Sequence, residues 1–197
     1  LHNLRRLKGF ALSRLFLDHG VLFHLRLGAA ARPLGESRLD LLDRLGPAKR
    51  VAQIASVFGR QFNYEGIFNV LPGNGQTLTD ALRALENAGI VYCVEEPQGT
   101  IFAFKHAMIQ EVAYSSLLKE ERRELHARVA SWLLHEAAIR ESSQPAVLGY
   151  HYARAGNIPE AIEAWLQAGR SALRRSANKE AVAHLREGLS LIPKLPA

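Results

Sequence analysis

Residues 148–168, LGYHYARAGNIPEAIEAWLQA, and residues 168–188, AGRSALRRSANKEAVAHLREG, run in parallel when one is shifted by 20 positions. Gly149 then falls on Gly169, Glu160 on Glu180, Ala161 on Ala181, Trp165 on Leu185 and Ala168 on Gly188. A repeat of this kind limits the possible folds severely, because each unit can bury its apolar face only against its neighbour. Small residues let paired helices approach, and the large residue fills the gap between them. The expected outcome is a stack of helical hairpins. An offset of 20 is shorter than the roughly 34 residues of a tetratricopeptide unit, so the helix from about 159 to 176 is expected to serve both units. Leu148, Gly149, Tyr152, Ala161, Trp165 and Ala168 fit the tetratricopeptide spacing, and Gly169, Ala181, Leu185, Gly188 and Pro193 follow at the same intervals. Ahead of them, EERRELHARVASWLLHEAAIR carries Leu125, Val129, Trp132, Leu133 and Ala137 on one helical stripe.

The middle of the chain changes period. LDLLDRLGPAKRVAQIASVFG has apolar residues at helical spacing, interrupted at Gly46-Pro47 and stopped at Gly59, which predicts two helices or one broken helix. YEGIFNVL predicts a short helix that ends at Pro72-Gly73, and TLTDALRALENAGI predicts a helix with a Thr77 cap and Gly89 just past its end. IVYCV (90–94) and IFAFK (101–105) alternate as strands around a turn holding Pro97 and Gly99. Three helices and a hairpin are the order of a winged helix-turn-helix, with the hairpin as its wing. Lys105 and His106 then fall where the period of two gives way to a period near 3.6, at a strand-to-helix junction.

The 38 residues at the start hold seven Lys/Arg against two Asp/Glu, residues 39–118 hold six against eight, and residues 119–197 hold twelve against nine. The net charge of +6 therefore suggests no polyanion partner for the middle segment. The third predicted helix offers Arg83 against Asp80 and Glu86, and the wing tip carries Glu95 and Glu96. Electrostatics argues against DNA there.

Residues 1–38 have frequent leucines without a segregated stripe and are expected to be a helical remnant whose packing partner lies outside the chain. A first residue of Leu and the lack of a visible signal peptide point to a piece of a longer protein. No apolar stretch approaches the roughly 18 residues of a membrane span. A single cysteine, Cys93, in an apolar run leans toward a core position and a reducing, cytoplasmic compartment.

Catalytic and metal chemistry find little to work with. LPGNGQT has the glycines of a phosphate loop without its lysine, and His135-Glu136 lacks the second histidine of a zinc protease because residue 139 is Ile. His126, His151 and His184 stand singly on helices and read as surface or boundary residues, so no metal site is expected.

LDLLDRLGPAKRVAQIASVFGRQFNYE, LRALENAGIVY, FAFKHAMIQEVAYSSLLKEERRELHARVA and YHYARAGNIPEAIEAWLQAGRSAL resemble, in wording and order, the segment after the nucleotide-binding module in bacterial signal-transduction ATPases of the STAND class. These include predicted ATPases fused to adenylate/guanylate cyclase domains and relatives fused to LuxR-type DNA-binding domains. The resemblance covers residues 39–192 and implies a winged helix that acts as a lid on nucleotide, followed by tetratricopeptide-like repeats. In the related NB-ARC switches a histidine of a Met-His-Asp motif after the wing reaches the β-phosphate of ADP. His106, with Lys105 before it, occupies the comparable place, although Ala107 stands where the acidic residue would be. An imidazole N–H can donate to phosphate and the helix start favours an anion, with Lys105 adding charge. The alternative is a histidine that merely caps its helix.

The expectation is a mainly α chain: a remnant over 1–38, a winged helix with a two-stranded wing over 39–118, and a tetratricopeptide-like α-hairpin stack over 119–197. The chain would be a non-catalytic regulatory fragment without a cofactor of its own, with ATP or ADP bound by the upstream nucleotide-binding domain of the parent. A protein or small-molecule inducer would bind the repeats through Tyr150, Tyr152, Arg154 and Trp165. The competing reading is a DNA-binding winged-helix transcription regulator with a helical effector domain.

Overall fold

The computed structural model describes residues 44–71, 73, 75–96, 99–140 and 144–195. The expectations for residues 1–38 and for the leucines of 39–43 lie outside these, as do those for Pro72, Pro97 and the side chains of Glu95 and Glu96. The chain divides into two compact units, with described residues 44–122 in the first and 123–195 in the second. The described residues are mainly helical, with one small three-stranded antiparallel sheet. No helix among them is long and apolar enough to cross a membrane.

The first unit begins with α1 (Pro47–Phe58), which starts at the Gly46-Pro47 step and stops at Gly59. Proline suits the first helical position because its missing N–H would have no partner there. Ala48, Val51, Ala52, Ile54, Ala55, Val57 and Phe58 are all buried, so α1 is wrapped by apolar neighbours on most sides. A three-residue strand, β1 (Gln61–Asn63), follows. Helix α2 (Tyr64–Val70) is capped by Asn63, whose side chain accepts from the Gly66 N–H at 2.8 Å.

Helix α3 (Gly75–Asn87) starts two residues before Thr77. The expected Thr77 cap is therefore wrong, and the Tyr64 hydroxyl donates to the Gly75 carbonyl at 3.1 Å within the first turn. At its other end the Gly89 N–H donates to Glu86 and the Ile90 N–H to Leu85, a Schellman closure that turns the chain into the sheet.

Strands β2 (Val91–Glu96) and β3 (Gly99–Phe104) form the expected hairpin, one or two residues out of the predicted bounds at each end, with Lys105 beyond the strand. The sheet order is β1-β3-β2, so β1 adds a third strand that the sequence reading lacked. Pairing of Phe62 with Phe102, and the two-residue step from Phe102 to Phe104, puts one aromatic face inward. Phe62 stacks on Phe102 at 5.7 Å and meets Phe104 at 5.6 Å. Cys93 is exposed, which corrects the expected core position. Helix α4 (Ala107–Ser115) is tied to α1 by Gln110, whose side-chain N–H donates to the Ser56 carbonyl at 2.9 Å in a buried setting.

Helix α5 (Lys119–Arg140) passes from the first unit into the second. The second unit continues with α6 (Pro145–Ala155), α7 (Ile158–Arg174), α8 (Asn178–Leu191) and a 3-10 turn, Ile192–Lys194. Helix α7 packs against both α6 and α8, as the short repeat offset required. A Cβ at Gly149 would lie 2.9 Å from the Trp165 ring, and one at Gly169 would lie 2.7 Å from the Leu185 side chain. Each glycine is therefore the hole that admits the large residue of the next helix.

The turns repeat as well. The Asn157 N–H donates to Tyr152 after Gly156 at φ 87°, and the Ala177 N–H donates to Ala172 after Ser176 at φ 60°. The second turn makes the same closure without a glycine, and left-handed backbone disfavours a side chain by roughly 1–2 kcal/mol. Glycine's greater freedom in the unfolded chain offsets part of this, so Ser176→Gly is expected to stabilise the unit by about 0.5–1 kcal/mol. A rise in the urea midpoint at constant slope checks it, and a fall would show that the serine hydroxyl contributes more than the strain.

Candidate functional site

The strand-to-helix junction is pinned from both sides. The Phe104 N–H donates to the Arg60 carbonyl at 2.9 Å, ahead of β1, and the Lys105 N–H donates to the Ile90 carbonyl at 2.9 Å, ahead of β2. The backbone then leaves the sheet through His106 in extended conformation, φ −133° and ψ 130°. The His106 carbonyl accepts from the Ile109 N–H at 3.0 Å and the Gln110 N–H at 3.4 Å, which makes His106 the residue that opens α4.

Its imidazole makes no capping hydrogen bond, and both His106 and Lys105 are exposed. The first turn of α4 carries no acidic residue, so among the described residues the amides there face no carboxylate of their own helix turn. Arg60 is half-buried and two hydrogen-bonded strands bring its backbone beside Phe104. Exposed Lys105 and His106 thus lead directly into a helix start, where the dipole favours an anion, and the Arg60 backbone is paired to the strand just before them. An imidazole N–H, an ammonium group and the first amides of a helix are all donors, the chemistry that suits a phosphate or carboxylate. Among the described residues no three His, Cys, Asp or Glu side chains gather to hold a metal ion.

The four residues nominated on the helical unit do not share one environment. Arg154 is exposed and its guanidinium lies 5.4 Å over the half-buried Tyr150 ring. Tyr152 is half-buried, and its carbonyl closes the turn after α6. Trp165 is only 3% exposed, enclosed between Gly149 and Gly188 and stacked on His184 at 5.5 Å. It has no surface to offer a partner in this packing, because the two glycines draw the indole inward. Burial holds the His184 imidazole below the usual histidine range, with Glu180 opposing and Arg175 reinforcing that shift.

Two histidines read as surface or boundary residues are in the core. His126 is 1% and His151 3% exposed, and their Nδ1 atoms lie 2.9 Å apart. The signal was positional: His126 falls in the buried series Leu125, His126, Val129, Ala130, Leu133, and His151 in the series Val147, Leu148, His151, Ala155. Treating histidine as polar hid it.

An uncharacterized protein of Rhizobium meliloti (strain 1021) is 30% identical over 173 residues, which is 85% of this chain and 17% of that protein. The chain thus spans under a fifth of the length of that relative. No family model matches the chain. No solved structure matches it.

Proposed function

We propose that the chain is a regulatory segment of a STAND-type signalling ATPase, in which residues 44–118 form a winged-helix lid over nucleotide and the helical unit receives a partner or inducer. The observation that carries the reading is the start of α4, where exposed Lys105 and His106 follow the strand whose end is hydrogen-bonded to the Arg60 carbonyl. The order α1-β1-α2-α3-β2-β3 with sheet order β1-β3-β2 supports the winged-helix identification. The glycine-seated hairpins that share α7 support tetratricopeptide-like stacking. A match confined to 17% of a longer protein fits a module within a multidomain chain.

The mechanism is a population shift. Nucleotide on the neighbouring domain stabilises a closed lid through donors at the α4 start, and a partner on the repeats favours the open arrangement. Phosphate bound at Lys105 and His106 differs in energy between the two states, which is what lets it bias them. In this reading the chain itself carries no catalysis, the bound ATP or ADP belongs to the parent, and the compartment is the cytoplasm. Tyr150, Tyr152 and Arg154 are the partner-facing residues.

A hydrogen bond to a charged phosphate contributes about 1.5–3 kcal/mol. His106→Ala in the parent protein with its nucleotide-binding domain is therefore expected to speed ADP release by about tenfold or more. Dissociation of a fluorescent ADP analogue measures it, and unchanged release would remove His106 from the site. Duplex DNA is the weaker reading, since the exposed face of α3 offers Arg83 against Asp80, which already accepts from Gln76 at 3.0 Å. Salt-dependent binding of duplex by this chain would favour it.

A further inference from the structure

We propose that the His126–His151 pair is a proton-operated latch that holds α5 to α6 when neutral and releases them in acid. The two rings are buried with Nδ1 atoms 2.9 Å apart and centroids 5.0 Å apart. An N–H···N bond needs one facing nitrogen protonated and the other bare, so one ring is the Nδ1–H tautomer and the other the Nε2–H tautomer. The first added proton goes to the donor ring's Nε2 and leaves the bond in place, but lodges a positive charge in the core. The second goes to the acceptor's Nδ1, puts hydrogens on both facing atoms and destroys the bond.

Burial opposes both steps. Arg123, one turn before His126 on α5, donates to the Ala155 carbonyl one turn after His151 on α6, at 3.3 Å. Arg154, on α6, lies over Tyr150, whose ring meets His126 at 5.6 Å and His151 at 5.3 Å edge-on. On α5, Glu124 and Arg128 pair with each other at the surface. Helix α7, also packed on α6, buries Ala161, Ala164, Trp165 and Ala168 and keeps Glu160, Glu163 and Arg170 exposed. Arg123 and Arg154, each three residues from one histidine of the pair on its own helix, disfavour an added positive charge, and a buried charge is costly to hold. Tyr150 touches both imidazoles and carries Arg154, so opening the latch also displaces that part of the surface.

Histidine side-chain 15N spectra of the full chain at pH 7.5 are expected to show one ring of the pair protonated at Nδ1 and the other bare at Nδ1. Bare Nδ1 on both rings, or protonated Nδ1 on both, would overturn the latch. His184 also titrates against stability: its folded value is lowered, so its contribution is present above about pH 6.5 and lost as pH falls below that. The urea comparison is therefore made on a His184→Gln background, with and without His126→Leu/His151→Leu. From pH 8 to pH 5 the folding constant of the chain that keeps the pair is expected to drop at least tenfold more than that of the leucine variant. Parallel profiles would overturn the proposal. Should the leucine variant not fold, amide exchange along α5 and α6 in the natural pair takes its place: acceleration at pH 5 beyond the intrinsic rate supports the latch, and unchanged protection sinks it.

Discussion

Replacing Trp165 by alanine is expected to lower the stability of the helical unit by about 3–5 kcal/mol, the usual range for a large aromatic removed from a core. The indole is 3% exposed, rests on Gly149 and has its Cβ beside Gly188, so it joins three helices. Glycine has no side chain that could move into the space left behind. Without the indole α6 and α7 therefore face a cavity that backbone alone must close. Since whole domains are stable by only about 5–15 kcal/mol, the loss would be a large share of the total. Urea unfolding followed by far-ultraviolet circular dichroism gives the number. A loss below about 1 kcal/mol would mean that the glycine seats do not hold the helices together.

Phe62→Ala is the comparable test in the first unit, again with an expected loss of about 3–5 kcal/mol. Phe62 is 1% exposed and lies against both Phe102 and Phe104. Its strand is also what places the Arg60 carbonyl on the Phe104 N–H, one residue before the basic junction. Loss of that anchor is expected to loosen the start of α4 as well as the core. Under the proposed lid, the variant in the parent protein is expected to release ADP faster although Phe62 itself is buried. Normal release from a clearly destabilised variant would separate the sheet from the site. Truncating Tyr92, 48% exposed on β2, is the contrast and should change stability by less than about 0.5 kcal/mol.

These two aromatics mark what could be read from the residues and what could not. Trp165 and its glycine were legible because the same spacing recurs at Leu185 and Gly169, and a repeat must satisfy its own packing each time. The junction at His106 was legible because period two and period 3.6 meet there. Strand β1 was not, because Gln61–Asn63 holds a single apolar residue and becomes a strand only through pairing with β3. The start of α3 was misplaced because Thr77 looks like a cap by local chemistry, whereas the helix begins at Gly75. Exposure on an edge strand put Cys93 outside the core although its neighbours in sequence are apolar. The histidine pair depended on two helices meeting, and no single helix announces that.

The basic junction at His106 is the part of the fold on which the proposed lid depends. The most direct measurement of the proposed lid is the side-chain 15N resonance of His106 in the parent protein as ADP is added, with His135, the other exposed imidazole among the described residues, for comparison. A saturable shift at His106 with none at His135 is the predicted result. Movement of neither resonance while ADP binds elsewhere in the protein would contradict the lid.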